Sequence, residues 1–187
     1  LSPLYHSIIY TLKILTRITY EKFKNLFYII KMNLTQEEQI KNKILARLDI
    51  IQTSISLSPQ ISQSINLIID CLKKGNKIIL FGNGGSAADA QHIAAEFIGR
   101  FNINRESLPA IALTSNSSTI TALANDFSFD TIFSRQCESL ISKDDIAIGI
   151  STSGNSINVE KAITTCKNKG AITIALLGNK GGIIKKH

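Results

Sequence analysis

Four short apolar runs recur along the chain: Lys77-Ile78-Ile79-Leu80-Phe81, Ala110-Ile111-Ala112-Leu113, Ile146-Ala147-Ile148-Gly149-Ile150 and Ala171-Ile172-Thr173-Ile174-Ala175-Leu176. Each is parted from the next by helix-length sequence. A strand that is apolar on both sides must be covered on both faces, and strands that alternate with helices are joined by crossovers, so they run parallel. The pattern predicts a doubly wound α/β domain, a parallel sheet flanked by helices. With 44% hydrophobic residues in 187, the chain can bury one sizeable core.

Two amphipathic helices are predicted ahead of the sheet. Thr35 followed three residues later by Glu38 is a capping box. Ile40, Ile44, Leu48, Ile51 and Ile55 then fall on one helical stripe. Ser58-Pro59 opens the second helix, Ile61, Ile65, Ile68 and Leu72 make its stripe, and Gly75 ends it. Such a pair serves either as a packing or oligomerisation element or as a cover for the sheet. Met32, the only methionine, stands just before the first cap. We therefore expect residues 1–31 to be an N-terminal extension and 32–187 to be the domain. An amphipathic membrane or partner helix is the competing reading of 1–31, and the poor separation of its polar and apolar faces speaks against it.

The net charge of +7 does not indicate a nucleic-acid protein. Lys13, Arg17, Lys22, Lys24 and Lys31 lie in the first 31 residues and Lys180, Lys185 and Lys186 at the other end, which leaves thirteen basic against thirteen acidic side chains between them. The body offers no basic groove for a polyanion. Cys71, Cys137 and Cys166 are odd in number and lack C-x-x-C spacing, so reduced thiols in a cytoplasmic protein are expected. No apolar run reaches membrane-span length, and no secretory signal pattern opens the chain.

Ligands of open parallel sheets sit beyond the carboxyl ends of the strands, and two loops there are rich in small polar residues. Gly82-Asn83-Gly84-Gly85-Ser86 follows the first strand. Its glycines permit close backbone approach, and Ser86 with Asp89 is a candidate capping pair that leaves a helix N-terminus open to an anion. Neither the dinucleotide fingerprint nor the Walker spacing is present, so a tight turn and a binding loop both remain open. Ser151-Thr152-Ser153-Gly154-Asn155-Ser156 follows the third strand. Four hydroxyls and a helix N-terminus make it a neutral cradle suited to phosphate. Between these loops in sequence, His92 and Glu96 share one helix face. They suit an acid/base pair, two ligands of a zinc ion completed from elsewhere, or an ordinary exposed pair. Asn125-Asp126 stands where a helix should end, as a C-cap turn or as added polar groups for a site.

The segments F-G-N-G-G-S-A-A-D-A-Q-H-I-A-A-E-F-I-G-R-F, A-N-D-F-S-F-D-T-I-F-S-R-Q and G-I-S-T-S-G-N-S-I-N-V resemble the sedoheptulose 7-phosphate isomerases, or phosphoheptose isomerases, of the SIS (sugar isomerase) fold. The resemblance runs from about residue 35 to Gly182. It implies a five-stranded parallel sheet between helices, a homotetramer with active sites between subunits, and conversion of sedoheptulose 7-phosphate into D-glycero-manno-heptose 7-phosphate for bacterial surface polysaccharides such as lipopolysaccharide. It further implies that Asn83, Gly84 and Gly85 contact substrate with Ser86 beside them. Ser151, Thr152, Ser153 and Ser156 would hold the phosphate, and Asn125 and Asp126 the sugar hydroxyls. His92 and Glu96 match zinc-binding positions, one ion per subunit, with Glu96 also an acid/base.

At the C-terminal end the sequence departs from that family. Members continue past the turn matching Gly178–Gly182 into a last strand and a helix that supplies a Gln and a His, whereas this sequence ends at Ile183-Ile184-Lys185-Lys186-His187. His187 lies too early to be that histidine. The expectation is a truncated domain with the remaining zinc ligands absent and isomerisation impaired. The alternative is a non-enzymatic SIS protein that binds a phosphosugar or, as some relatives in this fold do, the bacterial replication initiator.

Overall fold

The computed structural model describes residues 35–187; the extension expected over 1–31 lies outside the described residues. Helix α1 (Gln36–Thr53) starts with the predicted capping box. The Glu38 amide donates to Thr35 Oγ1 at 3.3 Å, and the Thr35 amide donates to Glu38 Oε2 at 2.9 Å. A 3₁₀ turn, Ser54–Leu57, leads into α2 (Ser58–Lys73), whose first turn holds Pro59, where a missing N–H costs little.

The four apolar runs become β1 (Ile78–Gly82), β2 (Ala110–Ala112), β3 (Ile146–Ser151) and β4 (Ile172–Leu177), each matching its run to within one residue at either end. They form one parallel sheet in the order β2-β1-β3-β4. Among the described residues the sheet has these four strands, not the five that the resemblance implies. Helix α3 (Gly85–Ile98) follows β1, α4 (Ser117–Asp126) and α5 (Ser134–Leu140) follow β2, and α6 (Ile157–Asn168) follows β3.

Strand alternation divides the core in two. Ile78 and Leu80 of β1 with Ile146, Ile148 and Ile150 of β3 point towards α2 and α3, meeting Ile65, Ile68, Ala90, Ile93 and Phe97. Ile79, Phe81 and Ala147 point the other way, to Phe133 and Cys137 of the α5 region and to Val159, Ala162, Ile163 and Cys166 of α6. Each fully buried Ile or Leu contributes about 1.5–3 kcal/mol. All three cysteines are free and buried. Burial, with the Asp145 carboxylate nearby, pushes the Cys71 thiol up to about 11, so it stays protonated and unreactive.

Helix α6 lies so close to β3 that a Cβ on Gly149 would stand 3.1 Å from both Val159 Cγ1 and Ile163 Cδ1. Gly149→Val adds three carbons where one is already tight, and is expected to destabilise by about 1–3 kcal/mol. Urea unfolding monitored by circular dichroism checks this; an unchanged midpoint would show that α6 can lift off at no cost.

The two leading helices differ in role. On α2, Ile65 and Ile68 are buried against the sheet, so this helix is a cover. The α1 stripe is not: Ile40, Ile44, Leu48 and Ile51, with Ile55 just beyond, are 53–68% exposed. Among the described residues no helix is long and apolar enough to cross a membrane.

Candidate active site

The chain leaves β1 for β2 on one side and returns to place β3 on the other. That reversal opens a crevice beyond the carboxyl ends of β1 and β3, where doubly wound sheets bind ligands. The two small-residue loops sit there, one after each strand. The strands approach closely: a Cβ on Gly82 would stand 2.8 Å from both Ile150 O and Ser86 Cβ, so the first loop needs glycine at its root.

Gly84 takes φ +55 and ψ −119, a conformation that glycine adopts without strain, and α3 begins at the next residue. This corrects one expectation. Ser86 and Asp89 do not cap the helix: Gly84 is the N-cap, no side chain caps it, and Ser86 is buried inside the first turn. The positive φ turns the chain into the helix earlier than a Ser86 cap would require. Asp89, one turn further on, has its carboxyl pushed up by burial, an effect that His92 partly opposes.

The second loop is held by its own hydroxyls. Ser151 Oγ and Ser156 Oγ are 2.9 Å apart, the Gly154 amide donates to Ser151 Oγ at 3.1 Å, and the Asn155 amide donates to Ser153 Oγ at 3.1 Å. Behind it the glycine turn after β4 docks through Gly178 N–H to Ser151 O at 3.1 Å, Ile184 N–H to Gly154 O at 3.1 Å and Ile183 N–H to Asn155 Oδ1 at 3.0 Å. Ser151 is buried, while Thr152, Ser153 and Ser156 are half-buried. The loop is thus a supported cup at the N-terminus of α6, with neutral donors for a phosphate.

His92 Nε2 lies 3.2 Å from Glu96 Oε1 on α3, with His92 more exposed than Glu96. Imidazole nitrogen beside carboxylate oxygen is a donor set that suits zinc and fills two of four tetrahedral positions. Among the described residues no group of three or more His, Cys, Asp and Glu converges. Asn125 and Asp126 end α4, exposed, with Asn125 Nδ2 donating to Asp126 Oδ1 at 2.8 Å. His187 lies elsewhere, its Nε2 2.7 Å from Glu160 Oε1 on α6.

Two residues that sequence reasoning did not single out support the site. Arg105 grips the end of α3: its guanidinium donates to Glu96 O at 2.5 Å, Phe97 O at 2.8 Å and Glu106 O at 2.9 Å. It satisfies the carbonyls that a helix end leaves open, next to Glu96. Asn158, buried in the first turn of α6, exchanges hydrogen bonds with Asn83 at 2.8 and 3.0 Å. Its signal in the sequence was a polar residue immediately before an apolar helix face; Arg105 had none, because its partners are backbone atoms.

A parallel sheet with these two loops at its reversal defines the SIS class, and the SIS domain family matches residues 38–178. The phosphoheptose isomerase of Citrifermentans bemidjiense is 54% identical over 129 residues, 69% of this chain and 67% of that protein. Solved phosphoheptose isomerases superpose over most of both chains. That of Neisseria gonorrhoeae has a TM-score of 0.76 at 39% identity, covering 81% of this chain and 80% of its own. That of Francisella tularensis has 0.78 at 35%, covering 82% and 81%. The chain belongs to the phosphoheptose isomerase family, and its chemistry is that of a phosphosugar isomerase.

Proposed function

We propose that the protein interconverts sedoheptulose 7-phosphate and D-glycero-manno-heptose 7-phosphate in the cytoplasm, supplying a heptose for bacterial surface polysaccharide such as lipopolysaccharide. The observation that carries this reading is the pairing of a neutral phosphate cup after β3 with the glycine loop after β1 across one crevice, the two joined by the Asn83–Asn158 hydrogen bonds. In this reading Ser151, Thr152, Ser153 and Ser156 hold the phosphate. Asn83, Gly84, Gly85 and Ser86 line the sugar, and Asn125 and Asp126 take hydroxyls.

The reaction removes a proton from C1 of the ketose, forms an enediol across C1 and C2 as the C2 carbonyl becomes a hydroxyl, and returns a proton to C2 as the C1 carbonyl forms. Glu96 takes or returns one of these protons, which requires it within hydrogen-bond reach of the carbon-bound proton. Arg105, by holding the last carbonyls of α3, fixes where the Glu96 backbone sits. His92 and Glu96 would hold a zinc ion whose other ligands come from beyond the described residues; bound there, zinc would polarise the substrate oxygens. The exposed α1 stripe supports a homotetramer, since a row of large apolar side chains suits burial against other copies.

The test is an assay of heptose 7-phosphate interconversion by the full chain, before and after chelation and with zinc restored, beside its mass in solution by light scattering. Turnover that falls on chelation and recovers with zinc is expected, from a tetramer. Turnover indifferent to chelation would remove the metal, and absence of phosphosugar binding would remove the site assignment.

A further inference from the structure

The Asn83–Asn158 contact spans the crevice itself. Asn83 belongs to the loop after β1 and Asn158 to the first turn of α6 after β3, 75 residues apart in sequence. Each side-chain amide donates to the other's oxygen, at 2.8 and 3.0 Å, so the pair closes as a ring of two hydrogen bonds. Asn158 is 3% exposed, and a buried amide without partners costs about 1–3 kcal/mol. The ring leaves Asn83 one N–H and one lone pair for other use.

The position of this ring gives it a role beyond packing. Asn83 immediately precedes Gly84, the N-cap of α3, and that helix carries His92 and Glu96. Asn158 lies two residues beyond Ser156, whose hydroxyl meets Ser151 to close the phosphate cup. The glycine loop's backbone hydrogen bonds are local, the Ser86 amide donating to Asn83 O and the Ala87 and Ala88 amides to Gly84 O, so the Asn pair is what ties it to α6. We infer that Asn158 is a positioning residue for the isomerase: through the reciprocal amide pair with Asn83, it sets the distance between the phosphate cup and the glycine loop at the N-terminus of α3, which lines the sugar. It touches no substrate. The inference rests on the assignment of the two loops to phosphate and sugar, and it explains how one end of a phosphosugar is registered against the other across two separately folded loops.

The experiment compares Asn158→Ala, Asn83→Ala and the double variant of the full chain. Displacing a reacting group by about 1 Å is worth up to ~10²-fold, so Asn158→Ala is expected to lower kcat/KM by about tenfold to a hundredfold. Because its effect passes through Asn83, adding Asn158→Ala to Asn83→Ala should cost less than about threefold more. The dissociation constant for inorganic phosphate, which fills the cup alone, should stay within about twofold. Equal losses in both backgrounds, or phosphate affinity falling in step with kcat/KM, would overturn the inference and leave Asn158 a structural residue. Native protein that binds no phosphate would sink the loop assignment instead. The clamp is then still decided by the Gly84 and Gly85 amide resonances of the free protein, which Asn158→Ala should shift; unchanged resonances overturn it. Should Asn158→Ala not fold, slow hydrogen exchange of the Asn83 and Asn158 side-chain amides in the native protein is the required result, and exchange as fast as that of exposed Asn102 overturns the clamp.

Discussion

Glu96→Gln is expected to lower kcat for heptose phosphate isomerisation by about 10²–10⁴-fold, with substrate affinity nearly unchanged. Glutamine keeps the length and planarity of the side chain and can still accept from His92, which stands 3.2 Å away in the native protein. Arg105 holds α3 through the backbone carbonyls of Glu96 and Phe97, not through the Glu96 carboxylate, so the substitution leaves the helix end in place. What disappears is the group that can take up and release a proton, together with the negative charge it would bring to the proposed zinc site. An interaction needed only in the transition state shows as a fall in kcat and in kcat/KM together. Steady-state kinetics with phosphate affinity measured in parallel checks this, and turnover within about threefold of native would remove Glu96 from the proton transfer.

Much of the fold could be read in advance because its signals are local. A strand covered on both faces must be apolar throughout, so β1 and β3 announce themselves as runs, and the Thr35–Glu38 capping box needs only three residues of spacing. The phosphate cup was legible for the same reason: its hydroxyls and its glycine lie within six residues and bond mainly to one another. Contacts between distant segments were not legible. Nothing in the sequence near Asn83 announces Asn158, since their pairing depends on the order in which β1 and β3 are laid side by side. Arg105 was hidden because it binds carbonyls that every helix end possesses. Ser86 misled for the opposite reason. Its side chain suits a cap, but the left-handed turn at Gly84 had already started the helix, and Ser86 became a buried residue packed against Gly82. The α1 stripe was read correctly as apolar, yet periodicity alone did not say whether it faced the sheet or the outside.

The largest expected loss of stability comes from the opposite end of the sheet, at Asp145. This carboxylate is 1% exposed and sits immediately before β3, beside Lys77, which immediately precedes β1. It accepts the Lys77 amide at 3.0 Å, the Lys77 ammonium at 2.6 Å and the Ser142 amide at 2.7 Å. One side chain thus ties the starts of the two central strands together. Asp145→Ala orphans two backbone N–H groups, each costing about 1–3 kcal/mol, and strands a lysine. The ammonium is the smaller part of the loss, because the Lys77 side chain is 28% exposed and can turn to water. The sum is about 3–5 kcal/mol, the usual range for breaking a buried charged pair, and it should lower the melting temperature by roughly 10 °C. The phosphate cup and the glycine loop lie at the far ends of the same strands, and the end of α3 that carries Glu96 is held by Arg105 and not by Asp145, so kcat/KM measured well below the transition should stay close to native. Differential scanning calorimetry with kinetics at low temperature separates the two effects. A melting temperature within about 3 °C of native would show that water or another donor replaces the clamp, and a matching loss of activity would show that the two ends of the sheet are coupled.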